Sequence, residues 1–450
     1  MAEIQPFRAY RYDTKRVALK DVLTQPYDKI TPAMQDAYYA ASPYNLIPVE
    51  KGRTSPDDTA ANSVYTRAAA KVQEWIASKI LVQDLAPAIY VYSQEFLIPG
   101  TQTRRTRIGF IALARVEDYA AEVVFRHEHT LSGPKADRIE LLRQTHMQTG
   151  QLFFLYDDRA KQIDTWLEQI ARTPAPNELS DEFGVIHRLW PVSDPAFVKR
   201  VQEAMLEKKL VIADGHHRYE TALHLRNENR QRAGKTDPMA ATEFAMATFI
   251  NTHSKGLTIL PTHRLVSRLA NFDFDRFRKN LAPLFDWYSY PFANDAERAS
   301  AYAEFRKDLE RPNSGRRAIG VYPGASAGAF YLFVLHRDAD LEALLPDISQ
   351  AQRELDVVLL HRLILEKGLG ITLEAVAGEK NITYERELDV TIATVDRGEA
   401  QIAFLLNPVR VEQVTQIALG GDVMPQKSTD FYPKLLSGIA IYRNDGRLEA

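Results

Sequence analysis

Five consecutive residues, Asp214-Gly215-His216-His217-Arg218, carry the densest chemistry in the chain. The apolar run 210–213 before them reads as a short buried strand. The stretch 219–226 after them reads as a helix, with Tyr219, Ala222 and Leu223 on one face. Asp214 is placed as the N-cap, and Gly215 allows a sharp turn. The first turn of a helix aims unpaired N–H groups and partial positive charge at whatever lies in front of it. An arginine and two imidazoles at that point make the pattern suit a phosphate. A solvated first turn behind an Asp cap accounts for the same residues equally well.

Three further groups could contribute. His127, Glu128 and His129 alternate at a strand end, so the histidines share a face and Glu128 takes the other, with Thr130 following. This is not the zinc-protease spacing, because Leu131 stands four residues after His127. A lone His-x-His pair is a weak metal signal. Lys135, Asp137 and Arg138 lie near the start of the next helix, where cations oppose the helix dipole. A bound anion would explain them, and so would local pairing with Asp137 or Glu140. Lys427, Ser428, Thr429 and Lys434 surround an irregular stretch marked by Pro425 and Pro433. Such a loop could close over a phosphate or simply cover the surface. Arg104, Arg105 and Arg107 read as a solvated strand edge.

The elements that must hold these residues alternate along the chain. Segment 41–51 reads as a strand and 55–79 as a helix with Pro56, Asp57 and Asp58 in its first turn. A hairpin joins strands 88–92 and 108–116, and strands 151–156 and 184–191 follow. Helix 195–209 leads into the Asp214 turn. The polar stretch 227–238 reads as the domain junction. Beyond it come strands 244–252, 318–322, 329–335 and 401–406, with His263 and Arg264 ending another strand. Helices are expected at 273–284, 294–309, 355–367 and 411–419. The class is α+β (mixed α/β). The expected domains are 1–235, carrying the phosphate-binding turn, and 236–450, contributing loops to the same pocket.

Composition sets the outer limits. The chain has 450 residues, 45% hydrophobic and 26% charged, enough for two or three domains of ordinary globular type. A formal net charge of −3 gives no electrostatic case for nucleic acid as a partner. With no cysteine, disulfides, thiolate catalysis and Cys-ligated metals are excluded. The N-terminus lacks an apolar signal core and no run is of membrane-spanning length, so a cytoplasmic protein without a membrane partner is expected.

The blocks TQPYDKI, HEHT with KADRIELL, HRLW, ADGHHRYETAL, LTILPTHR and PQKSTDFYPKLLSG, in that order, resemble the domain-of-unknown-function family 1015 from residue 24 to residue 438. The turn ADGHHR is similar to the phosphate-binding turn of the ParB/sulfiredoxin-like superfamily, which includes free-serine kinases. That resemblance implies a nucleotide, ATP or ADP, with Mg²⁺. It implies Gly215, His216, His217 and Arg218 on the phosphates, with Lys427, Ser428 and Thr429 closing over them. Asp214 and Glu128 would serve the metal. Glu128, Asp214 and His216 would be catalytic, Glu128 as the base, with Asp28 as a second candidate. His127, His129, Thr130, Arg138, His263 and Arg264 would hold the acceptor. The implied reaction is phosphoryl transfer to a small hydroxyl compound, L-serine first. Two alternatives stand beside it: a metal-dependent hydrolase using His127, His129, His216 or His217, and a non-catalytic nucleotide-binding module.

Overall fold

Runs rich in Val, Ile, Phe and Tyr alternate with capped amphipathic helices along the chain, and the fold is mixed α/β. The computed structural model describes residues 1–128, 132–311 and 317–448. The chain divides into two compact units. The first is Met1–Arg126 with Thr130–Thr258 and Pro433–Ala450, and the second is His127–His129 with Ile259–Tyr432.

The first unit is built on a nine-stranded sheet. Its strands run in the order Val124–Phe125, Leu210–Asp214, Leu152–Tyr156, Phe244–Asn251, Arg104–Arg115, Ile89–Leu97, Ile186–Val192 and Asn177–Ser180, and Ile4–Gln5 adds to Arg104–Arg115. Most neighbours are antiparallel. Leu210–Asp214 is parallel to Val124–Phe125, and Phe244–Asn251 is parallel to Leu152–Tyr156. The strand that carries Asp214 lies inside the sheet, which is why 210–213 is uniformly apolar. Helices Gln162–Ala171 and Pro195–Met205 bring Ile163, Leu167, Phe197, Val201 and Met205 to a core shared with Val91, Phe110, Phe154, Ile212 and Phe249. Each such side chain contributes roughly 1.5–3 kcal/mol of burial.

Several expectations change here. Segment 41–51 is not a strand: helix Pro32–Ala41 ends there and a four-residue helix, Ile47–Glu50, follows. Asn45 Oδ1 accepts from Ile47 N at 2.9 Å and Pro48 sits in the first turn, so Pro48, a residue that would limit a strand, helps start a helical turn instead. Helix Val64–Ala77 begins at a Ser63–Thr66 capping box, leaving Pro56, Asp57 and Asp58 outside it. The stretch 227–238 is not a domain junction. Helix His216–Ala233 runs through most of it, Gly234 (φ +65°) closes the helix, and the next strand returns to the same sheet. The first unit thus reaches Thr258 and regains the chain at Pro433.

The second unit holds a six-stranded antiparallel sheet in the order Phe285–Pro291, Ala329–Leu335, Ala318–Tyr322, Ile402–Leu405, His263–Val266 and Ile382–Glu385. Phe305 and Leu309 from helix Asp295–Leu309, and Ile392 and Val395 from helix Leu388–Asp396, pack on Leu265, Phe330, Leu332 and Leu405. Asn294 caps the first of these helices through Glu297 N at 3.0 Å. The helix expected over 355–367 is present from Asp356 to Leu369, with a π-helical stretch, Leu360–Glu366, between two α-helical ends. No helix among the described residues is long and apolar enough to cross a membrane.

Candidate functional site

The Leu210–Asp214 strand runs straight into helix His216–Ala233 through one residue, Gly215, at φ +94°. Gly215, and not Asp214, occupies the N-cap position. Asp214 stays on the strand and its Oδ1 accepts from Gly215 N at 2.8 Å. The glycine is needed on two counts. The left-handed backbone disfavours a side chain, and a Cβ there would stand 3.1 Å from Arg218 Nε. Arg218 folds back against the turn and donates to Gln151 O. A Cβ on Gly150 would lie 3.2 Å from Arg218 Nη1, so two glycines make room for one guanidinium.

Cations gather on Asp214. Lys434 Nζ lies 3.3 Å from Oδ2 and Arg218 Nη2 lies 3.9 Å from Oδ1. Burial pushes this carboxyl up, but Lys434, Arg218, Lys29 and His216 outweigh burial and hold it well below the usual carboxylate range. Lys434 is placed by buried polar groups behind the turn. Gln94 and Arg107 are cross-strand partners. Gln94 Nε2 donates to Lys434 O at 2.8 Å, and Arg107 Nη2 donates to Pro433 O at 2.5 Å. Arg107 is 1% exposed, and burial pushes its guanidinium down to about 10, against the pull of Tyr92 and Asp214. This corrects the solvated-edge reading for Arg107. Arg104 keeps that reading, paired with Glu95 at 2.8 Å.

Beside the turn is a small cavity of about 60 Å³, bordered by Tyr27, Glu50, Arg138, Gly150 and Arg218. Glu50 is 3% exposed and ties three segments together. It accepts from Tyr27 N at 3.2 Å, Thr149 Oγ1 at 2.5 Å and Ser437 Oγ at 2.8 Å. Arg138 donates to Glu50 O at 2.8 Å and lies over the Tyr27 ring at 4.3 Å. It also pairs with Asp137 at 2.6 Å, so local pairing and a place beside the cavity coexist. Burial, with Asp28 adding to it, pushes the Tyr27 hydroxyl up to about 12. His216 is buried, and His217 O accepts from Thr221 Oγ1 at 2.8 Å. Tyr27, Arg138, Asp214, Gly215, His216, His217 and Arg218 therefore belong to one unit. Glu50 and Gln94 were missed and Arg107 was read as solvated, because their partners lie 99, 340 and 326 residues away.

The remaining expected residues form a second group in the second unit. His127 Nε2 pairs with Thr429 Oγ1 at 3.0 Å, and Glu128 Oε1 accepts from Lys427 N at 3.4 Å. Arg264 Nη2 donates to Lys427 O at 3.0 Å, and Ser428 Oγ donates to Pro425 O. His263 Nδ1 accepts from Leu406 N at 3.2 Å, and burial, then Arg264, pushes this imidazole down to about 3. It is neutral at physiological pH. His129 and Thr130 lie outside the described residues. The irregular stretch around Pro425 and Pro433, expected to close over a phosphate or cover the surface, is divided. Lys427, Ser428 and Thr429 belong to the second unit and Lys434 to the first.

The donor set around the Asp214 turn suits phosphate oxygens: cationic side chains and the amide end of an 18-residue helix. It suits Mg²⁺ less directly. Oδ1 already accepts from Gly215 N and Oδ2 faces Lys434, so a cation on Asp214 would have to displace one of them. Among the described residues no three His, Asp or Glu side chains cluster to hold a metal ion.

No curated protein matches the chain. Among solved structures, a free serine kinase in complex with AMP is similar over 74% of this chain and 91% of that one, at 12% identity and a TM-score of 0.35. A conserved hypothetical protein from Pyrococcus furiosus is similar over 71% and 90%, at 12% identity and a TM-score of 0.33. SbnI with C-terminal truncation from Staphylococcus aureus is similar over 73% and 85%, at 9% identity and a TM-score of 0.33. Likeness at this level carries no argument about activity. The family model described as protein of unknown function (DUF1015) matches residues 4–358, and the chain belongs to that family.

Proposed function

We propose that the first unit is a small-molecule kinase that transfers a phosphoryl group from ATP or ADP to a hydroxyl acceptor, free L-serine being the first candidate. The observation that supports this most is the gathering of cations at one helix start. Arg218 lies under Gly215, Lys434 stands 3.3 Å from Asp214, and the N–H groups of His216 onward open the helix. In this reading the helix start and Arg218 hold the phosphates, and Asp214 holds Lys434 and Arg218 in position. The acceptor oxygen attacks the terminal phosphorus, the bond to the bridging oxygen breaks, and ADP leaves from ATP or AMP from ADP. The hydroxyl proton passes to a carboxylate. Asp28 is the exposed carboxylate next to Tyr27 in this unit and is the candidate base here; Glu128, the base that the resemblance implies, belongs to the second unit. Positioning and charge neutralisation do most of the work in such a transfer. Mg²⁺ would arrive with the nucleotide, bound mainly by its phosphates and water.

The test is nucleotide consumption by the full chain with Mg²⁺ and a panel of small hydroxyl compounds. Arg218→Ala should weaken nucleotide binding by roughly tenfold to a hundredfold, the loss of a charge-assisted hydrogen bond. Acceptor-dependent turnover lost in Glu128→Gln but kept in Asp28→Asn assigns the base, and the reverse pattern assigns Asp28. Nucleotide bound without turnover for any acceptor leaves a nucleotide-binding module and ends the kinase reading.

A further inference from the structure

The second unit contains a cavity of about 570 Å³ at one end of its sheet, where Ala318 begins one strand, Leu405 ends the next and His263 begins the third. That volume suits a metabolite rather than a single ion or water. Its polar lining is unusual. Arg264 is 1% exposed, donates to Thr262 O and Lys427 O, and has no hydrogen-bond partner on Nε. Arg317 and Arg410 line the same cavity, and neither forms an ion pair with a described carboxylate. Of the other acidic lining residues, Asp308 accepts from Tyr290 Oη at 2.7 Å, Glu310 pairs with Arg306 at 2.6 Å, and Glu354 is exposed at the cavity's edge. Helix Val411–Leu419 starts directly after Arg410; Gln413 N donates to Arg410 O and Arg410 N to Gln413 Oε1, which leaves the N–H groups of Val411 and Glu412 at its start. A buried guanidinium with an unsatisfied N–H, two cations without ion pairs and a helix start around one volume are what a multivalent anion would satisfy together.

We infer that this cavity is a second ligand site, for a small multivalent oxyanion such as a phosphate ester or a dicarboxylate, held by Arg317 and Arg410 with Arg264 in its wall. It does not rest on the kinase reading of the first unit. Asp356 gives the site its selectivity. Its carboxyl lies among the same arginines and makes no ion pair with a described residue. Ionised, it competes with the ligand for Arg317 and Arg410. Protonated, which burial favours, it donates to a ligand oxygen.

The experiment reads the two arginines directly in the full chain. Phenylglyoxal modification of Arg317 and Arg410 is followed by mass spectrometry with inorganic phosphate, with succinate, and with chloride at matched ionic strength. Either oxyanion should slow both arginines severalfold relative to chloride, and the better protector names the ligand class. Calorimetry should show saturable binding that survives Arg218→Ala, tightens severalfold in Asp356→Asn, and disappears in the Arg317→Ala, Arg410→Ala double variant. Modification at the chloride rate with both probes overturns the site. So does a binding isotherm that the double variant leaves intact while its thermal unfolding is unchanged.

Discussion

Asp214 in the first unit and Asp356 in the second both stand among cations, yet their carboxyls move in opposite directions. Asp214 is held well below the usual range and Asp356 is pushed up to about 7. Burial works against the charged form at both. The difference is the number and closeness of the cations. Asp214 accepts a backbone hydrogen bond at 2.8 Å and faces Lys434 at 3.3 Å, whereas Arg317 and Arg410 act on Asp356 only from beyond ion-pair distance. Four cations, with Lys434 at 3.3 Å, overcome desolvation at Asp214, and the two more distant arginines do not at Asp356. One aspartate is therefore a fixed anion that organises cations, and the other can change its charge.

That comparison breaks most visibly by removing Asp214. Asp214→Asn leaves Lys434 and Arg218 without their carboxylate and should cost about 2–4 kcal/mol near neutral pH, measured by urea unfolding. Because the folded pKa is depressed, this stabilisation is present above the unfolded value of about 3.9 and is lost as pH falls further toward the folded value. A loss below about 0.5 kcal/mol would put the pair among ordinary surface ion pairs. Asp356→Asn should act in the other direction. The raised folded pKa makes ionisation destabilising, so the variant gains roughly 1–3 kcal/mol at about pH 8, after discounting for partial exposure. That gain should shrink through the range from about 7 down to about 4 and vanish below it. Equal stability of variant and parent at both ends would mean that Asp356 titrates as an exposed group. The smallest expected effect is Gly215→Ala, about 1–2 kcal/mol from the left-handed backbone and the crowding of Arg218. It should also weaken phosphate binding. An unchanged urea midpoint would show that Arg218 can swing away from the turn.

What could be read from residues alone was local. The strand before Asp214, helix Val411–Leu419, helix Asp295–Leu309 behind its Asn294 cap, and the strands Ala318–Tyr322 and Ala329–Leu335 follow from periodicity, caps and turn residues. The failures were non-local or ambiguous. Asn45 and Pro48 mark a strand end and a helix start alike, and only the packing of Glu50 against distant Thr149 and Ser437 decides between them. Arg107 has the surroundings of an exposed arginine in sequence, and its burial depends on Pro433, 326 residues later. The strand–glycine–helix turn at Asp214 was legible because its residues are consecutive. Lys434 stood out by its type, and no local pattern tied it to Asp214, 220 residues earlier.

The return of the chain to the first unit at Pro433 has a consequence for biosynthesis. Asp214 leaves the ribosome long before Lys434, and the whole of residues 259–432 must be made in between. At about 5–20 residues per second the gap lasts on the order of ten seconds or more. During that time Glu50 lacks Ser437, and Gln94 and Arg107 have no Lys434 or Pro433 carbonyl to bind. A nascent chain arrested inside the second unit can display the glycine turn and helix start, but not the lysine that completes them. The turn is finished only in a protein whose translation has passed residue 434, so truncated products carry the glycine turn without the cation that faces Asp214.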